Sequence, residues 1–352
     1  MHRLVPLDAT GDVSFINAMR RAWAVGDAVL PVDPRLSRAA AARLVAAMRP
    51  DDPVEAGDAL VVATSGTTGE PKGVVLSHVA LRASAIATST RLAVDPRADT
   101  WLACLPLAHV GGLSVVVRAL LTDTALVVQP SFDPARAVSA GATLVSLVAT
   151  ALRRLSDASI FRAIVLGGAA QPEELAANVV VTYGMTETGS GVVYDGIPLE
   201  GVDVSVGSMG AIALRGPMLL RCYRDGTDPK DAEAWLTTGD VGTWDGRRLT
   251  VAGRADELII SGGENVWPSA VEGVIERVDG VAEVAITGRR DAEWGQRVVA
   301  LVVPVDPASP PALEALRDAV KEQLGPWAAP KELELVTSLP RTALGKLKRR
   351  EL

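Results

Sequence analysis

Between about residues 57 and 182 the chain alternates short, wholly apolar runs with segments of helical spacing, and this alternation constrains the fold more than any other feature. ALVVAT, GVVLS, WLACLPL, ALVVQ, TLVSLV, RAIVLG and NVVVTYG read as strands. Ala-, Leu- and Arg-rich stretches at 79–91, 133–140 and 149–156 lie between several of them with helical periodicity. Strands that are apolar on both faces need covering on both faces. The pattern therefore predicts an α/β architecture on a mostly parallel sheet, with ligands expected beyond the carboxyl ends of its strands. After about residue 196 short Gly-punctuated strands (VDVSV, AIALRG, RRLTVAG) suit a β-subdomain. From 257 a smaller α+β unit follows: ELIIS, the helical PSAVEGVIERV, strands VAEVAITG and RVVALVVPV, a Pro-rich link, a helix near 312–324, the strand ELELV and a basic tail. The expected division is a large N-terminal domain, residues 1–254, and a small C-terminal domain, residues 255–352.

A length of 352 residues suits two such domains. The balance of 35 Lys and Arg against 42 Asp and Glu gives a net charge of −7 and no general footprint for nucleic acid. Any polyanion must be caught by a local site. Cys104 and Cys222 are far apart and form no CxxC pair. With His2, His78 and His109 and no HExxH, a transition-metal site is not expected. The N-terminus lacks a signal-peptide core, and the apolar segment around 110–121 is interrupted by Arg118 before it reaches membrane-span length. No membrane partner is expected, and the cytoplasm is the expected compartment.

The strongest local signal is Thr64–Gly73, TSGTTGEPKG, directly after the strand-like ALVVA. Its glycines let backbone N–H groups turn toward an anion. Ser65, Thr67 and Thr68 add hydroxyl donors, and Lys72 adds positive charge; together they suit a polyphosphate. No GK[ST] ends the loop, so it is not a Walker loop. The stretch resembles the phosphate-binding loop of the adenylate-forming superfamily, which includes acyl-CoA synthetases, peptide-synthetase adenylation domains and luciferases. Further stretches resemble that family's motifs in order: GDAVLPVDPRL, LPLAHVGG, VLGGAA, YGMTETGSG, TTGD, GRADELIISGGENVWPSAVE and PRTALGK. Seven motifs in the right order make the resemblance specific.

The resemblance implies roles residue by residue. Thr64, Ser65, Gly66, Thr67, Thr68, Gly69 and Lys72 would hold the phosphates of ATP. Glu187 would position Mg²⁺, and Thr186 would contact the α-phosphate. One carboxylate with phosphate oxygens and waters suits this cation. Tyr183 would stack on adenine beside Gly184, while Gly168 and Ala169 would present bare backbone to the ring. Gly168 would also border the acid. Asp240 would accept the ribose hydroxyls, with Arg254 as a second ribose or phosphate contact. Lys346 would bridge the substrate carboxylate and the α-phosphate, Asp256 would be the hinge, and Gly262–Asn265 would enter for thioester formation. The implied chemistry is activation of an organic acid as its acyl-adenylate, followed by transfer to the thiol of CoA. Read alone, Glu187 fits a surface acid, Asp240 a turn acid and Lys346 one more basic residue beside Lys348, Arg349 and Arg350.

The chain departs from the family in length. Its N-terminal subdomain is reduced, and the segment between VLGGAA and YGMTE is short. These departures leave the oligomeric state open, a homodimer included. Within the superfamily the compact size and TLVSLVATALRRL resemble o-succinylbenzoate–CoA ligases of menaquinone biosynthesis. Arg118 lies nine residues after His109 in the apolar GGLSVVVRALL, where an unpaired charge is costly. A second carboxylate on the substrate would pair with it; a snorkelling arginine is the competing reading. His109 fits either a wall of the acyl pocket or a packed core residue. A ligase for a fatty, aromatic or short-chain acid, a stand-alone adenylation enzyme loading a carrier protein, and a non-catalytic relic are the alternatives.

Overall fold

In the computed structural model, residues 1–65, 71–168, 175–341 and 347–352 are described. Of the residues proposed from sequence, Gly66, Thr67, Thr68, Gly69, Ala169 and Lys346 lie outside these. The chain divides into two compact units. The larger comprises Met1–Ser205, Ala213–Thr237 and Trp244–Leu249; the smaller comprises Val206–Ile212, Thr238–Thr243 and Thr250–Leu352.

The larger unit holds a seven-stranded sheet in the order Ile197–Pro198, Ser190–Tyr194, Val179–Met185, Ala163–Gly167, Leu144–Val148, Thr100–Ala103, Ala125–Val128. The five strands from Val179–Met185 onward pair in parallel. This matches their sequence: Ala163–Leu166 and Leu144–Leu147 are buried throughout, as strands covered on both faces must be. Leu102, Val145, Leu147, Ile164, Leu166 and Phe161 make one core on this sheet. The segments expected to be helical form helices at His78–Arg91, Pro134–Val138 and Ala149–Leu152. Ser77 caps the first through its hydroxyl, which accepts the Ala80 N–H at 3.1 Å.

A second, five-stranded sheet runs Leu4–Asp8, Ala28–Val32, Asp58–Ser65, Pro71–Ser77, Cys222–Tyr223. Here ALVVAT and GVVLS depart from the parallel pattern and pair antiparallel, with Ser65 opposite Pro71 and Thr64 opposite Lys72. Five residues separate these strands, far fewer than the dozen or so that a parallel crossover needs. A four-stranded sheet follows in the order Asp203–Val206, Ala211–Arg215, Leu236–Trp244, Leu249–Arg254.

In the smaller unit, strands Val281–Asp291 and Gly295–Pro304 form a long antiparallel pair, with Glu332–Leu335 parallel on the second. Helices Pro268–Ile275 and Leu313–Gln323 cover this sheet through Val271, Ile275, Leu316 and Val320, all buried against Val298, Ala300 and Val302. Among the described residues, no helix is long and apolar enough to cross a membrane.

Candidate active site

The carboxyl end of the Val179–Met185 strand runs directly into a single 3₁₀ turn, Thr186–Thr188, which presents Thr186 and Glu187 half-buried. The turn is pinned at its back. Thr188 is fully buried; its hydroxyl oxygen accepts the Met185 N–H at 2.9 Å and donates to the Ser190 carbonyl at 2.6 Å. The Leu220 N–H donates to the Glu187 carbonyl at 2.7 Å. Gly184 has a packing reason of its own: a Cβ there would lie 2.3 Å from the Ser190 carbonyl oxygen, so only glycine lets the two strands close. Tyr183, half-buried, pairs with Val193 on the same ladder.

Facing this turn is a residue the sequence did not single out. The Tyr223 hydroxyl donates to Glu187 Oε1 at 3.1 Å, and Lys72 Nζ lies 4.9 Å from the centre of the Tyr223 ring. Burial and the neighbouring Glu187 carboxylate push the phenol well above its ordinary pKa, so it remains a donor. The structure thus brings Lys72, from the Pro71–Ser77 strand, and Glu187 to the same aromatic side chain. Thr64 donates to the Lys72 carbonyl at 3.4 Å across the same pair of strands. Among the described residues, no three His, Cys, Asp or Glu side chains cluster to hold a metal. A lone carboxylate fits Mg²⁺ carried in on phosphate oxygens.

Gly168 follows the Ala163–Gly167 strand with φ +98°, a conformation glycine adopts freely, at the carboxyl end where ligands of parallel sheets collect. His109 opens the Val110–Leu121 helix. Its Nε2 lies 3.6 Å from Asp33 Oδ2, and Asp33 is gripped by Arg35 through Nη2 at 2.6 Å and Nε at 2.9 Å. Hydrogen bonding from Arg35 holds the Asp33 carboxyl down at about 2. Burial keeps His109 below its ordinary value, which leaves it neutral at pH 7.

Nine residues on, Arg118 is fully buried. Its guanidinium stacks 4.7 Å above the Trp101 ring, and Nη2 donates to Ser190 Oγ at 3.1 Å. Nε and Nη1 have no hydrogen-bond partner, and no carboxylate pairs with the group among the described residues. The side chain borders a recess of about 10 Å³, shared with Ser84, Ser114 and Gly189, with room for about one water.

Asp240, Arg254 and Asp256 lie in the smaller unit. The Thr238 hydroxyl donates to the Ile212 carbonyl at 2.9 Å and accepts the Asp240 N–H at 3.1 Å, fixing the turn that carries the carboxylate. Arg254 reaches Asp240 with Nη1 at 3.6 Å and Asp256 with Nε at 3.2 Å. Gly262 and Gly263 turn between strands Ile259–Ser261 and Glu264–Val266. The basic tail contains a further missed residue. Arg349 makes a fork on Glu272 at 2.7 and 2.8 Å and reaches Glu257 at 2.9 Å. It is a half-buried clamp, where the sequence showed only one charge in a basic run.

The family model described as AMP-binding enzyme matches residues 21–218, and that described as AMP-binding enzyme C-terminal domain matches 270–346. A protein of Mycobacterium tuberculosis named "Probable 2-succinylbenzoate--CoA ligase" is 39% identical over 337 residues, covering 88% of this chain and 87% of that one. The 2-succinylbenzoate–CoA ligase of Enterococcus faecalis is 32% identical over 332 residues, covering 82% of this chain and 68% of its own length. The solved structure of o-succinylbenzoate coenzyme A synthetase (MenE) from Bacillus subtilis, in complex with ATP and magnesium ion, superposes with a TM-score of 0.87 at 26% identity. That match covers 99% of this chain and 89% of that one.

Proposed function

The chain is a member of the AMP-binding enzyme family, and from that premise we propose that it is an ATP-dependent acid–CoA ligase converting o-succinylbenzoate to its CoA thioester. Relatives at 39% and 32% identity carry that activity in their names. The observation within this chain that favours the diacid is Arg118. A fully buried cation with two unpartnered guanidinium nitrogens and no carboxylate paired with it among the described residues suits a substrate that brings its own second carboxylate. The recess beside it has room for about one water, so the diacid needs the lining around Ser84 and Ser114 to open.

The reaction runs in two displacements. A substrate carboxylate oxygen attacks the α-phosphorus of ATP and pyrophosphate leaves; the thiol sulfur then attacks the acyl carbon and AMP leaves. In the first step Lys72 and the loop before it hold the phosphates, and Thr186 contacts the α-phosphate. Glu187 holds the magnesium ion, which when bound neutralises phosphate charge. Tyr183, Gly168 and Ala169 take the adenine, and Asp240 with Arg254 takes the ribose. Lys346 bridges the two anions, whose mutual repulsion a compact cation offsets. His109, neutral and lodged against Asp33, borders the acid. CoA is the thiol, and the cytoplasm the compartment.

The test is pyrophosphate release against a panel of acids, with and without CoA. The expected result is one turnover or less with o-succinylbenzoate alone and sustained turnover once CoA is added. Equal rates with monoacids overturn the diacid, and stimulation by a carrier-protein thiol but not by CoA overturns the acceptor.

We take Asp256 as the hinge between half-reactions; it lies in a short 3₁₀ turn, Ala255–Glu257. Asp256→Pro locks φ there. It is expected to leave adenylation, followed as pyrophosphate release without CoA, near the wild-type rate while suppressing transfer to CoA. Full thioester turnover in that variant would refute the hinge.

A further inference from the structure

Lys72 and Glu187 carry opposite charges, and both are wanted by the same ligand. The ammonium is for phosphate oxygens and the carboxylate for the cation that accompanies them. Left to themselves, such groups attract and pair, and a paired Lys72 and Glu187 would offer ATP and Mg²⁺ neither charge. One side chain, Tyr223, touches both. Tyr223 presents its ring face to Lys72 Nζ at 4.9 Å and its hydroxyl to Glu187 Oε1 at 3.1 Å. A ring face attracts a cation, and a phenolic O–H donates to a carboxylate, so each charge is satisfied without meeting the other.

The segment that carries Tyr223 is registered against both partners through the backbone. Tyr223 pairs with Val74 and Cys222 with Val75, on the strand that begins with Pro71 and Lys72. At the other end, the Leu220 N–H donates to the Glu187 carbonyl at 2.7 Å, and the Tyr223 N–H donates to the Thr227 carbonyl at 2.8 Å. The Pro71–Ser77 strand and the turn that carries Glu187, distant in sequence, are thereby tied to one short segment, Leu220 to Tyr223.

We propose that Tyr223 is a positioning residue of the nucleotide site, holding Lys72 and Glu187 apart and aimed until MgATP takes both. The hydroxyl occupies one carboxylate oxygen and leaves the other for the cation. The neutral ring sets the height of the ammonium over the site. The proposal rests on the adenylating reading above.

The experiment is calorimetric ATP binding to the full chain at graded Mg²⁺, without acid or CoA, for wild type, Tyr223→Phe and Tyr223→Leu. Phe keeps the ring face and loses the hydroxyl. It is expected to raise the half-saturating Mg²⁺ by about tenfold while leaving ATP affinity at saturating Mg²⁺ within about twofold, the behaviour of a lost partner to a metal-binding carboxylate. Leu removes the ring as well, so it should add a loss of ATP affinity that saturating Mg²⁺ does not recover. A Phe variant with unchanged Mg²⁺ dependence overturns the proposal. So does an equal loss of ATP affinity in both variants at every Mg²⁺ concentration, which marks general damage. Should Leu fail to fold, as judged by its melting curve, the Phe variant decides alone. A wild-type chain that binds no MgATP sinks the adenylating reading itself, whereas normal wild-type binding with a silent Phe variant sinks only the role of Tyr223.

Discussion

Replacing Lys346 by Ala is expected to lower acyl-adenylate formation by about 10²-fold or more, on the order of 3 kcal/mol of transition-state stabilisation. Thioester formation from supplied acyl-adenylate should change far less, because by then the two anions that the lysine bridges are already joined. The stems on either side of residues 342–346 are held without it. Arg341 pairs with Leu347 in an antiparallel bridge and its guanidinium meets Glu283 at 2.5 Å. The Lys348 N–H donates to the Pro340 carbonyl at 2.9 Å, and Arg349 is clamped by Glu272 and Glu257. None of these contacts uses the Lys346 side chain, so the Ala variant should melt like the wild type. The two half-reactions are measured separately, by pyrophosphate release without CoA and by single-turnover transfer from synthetic acyl-adenylate. An equal fall in both would mark Lys346 as structural.

What the sequence disclosed and what it withheld follow the range of the interactions concerned. Runs such as AIVLG and LVSLV announce strands buried on both faces because each residue's environment is repeated along the run. The candidate motifs YGMTE and TTGD stand out for the same reason: they are local, and the turn that presents Glu187 is closed by Thr188 one residue away. Pairing direction was less visible. ALVVAT and GVVLS look like members of the parallel series, and only the short link between them betrays the antiparallel pair. Gly73 reads as a third turning glycine of the phosphate loop, yet it lies within the Pro71–Ser77 strand. A Cβ there would meet Met48 Sδ at 2.6 Å and Arg224 Cβ at 2.9 Å. Long-range partners left no trace at all. Tyr223 is 36 residues from Glu187, Asp33 is remote from His109, and Arg349 meets Glu272 across 77 residues. No pattern within a window encodes a hydrogen bond that only the fold creates.

The substrate assignment makes the second large prediction, and its weight falls on Arg118. If the acid is o-succinylbenzoate, one carboxylate reacts at phosphorus while the other stays ionised in a dry pocket. That spectator charge needs a cation already in place. Arg118→Leu removes it and is expected to lower kcat/KM for the diacid by about 2–5 kcal/mol, the range for truncating one side of a buried charge pair. An analogue lacking the second carboxylate should lose much less, or gain. The free protein should tolerate the change. Arg118 has no carboxylate partner among the described residues to strand, Ser190 Oγ loses one donor, and an aliphatic chain replaces a desolvated charge stacked on Trp101. Exchanging a buried ion for a well-packed apolar side chain is often neutral or stabilising. The melting temperature should therefore hold or rise while diacid activity falls, and ATP affinity should be unchanged. Wild type and variant are compared on the diacid and its monoacid analogue, with thermal unfolding beside them. A common factor of loss on both acids, together with a lowered melting temperature, would make Arg118 a structural cation. The preference for the diacid would then have to arise from some other donor in the pocket.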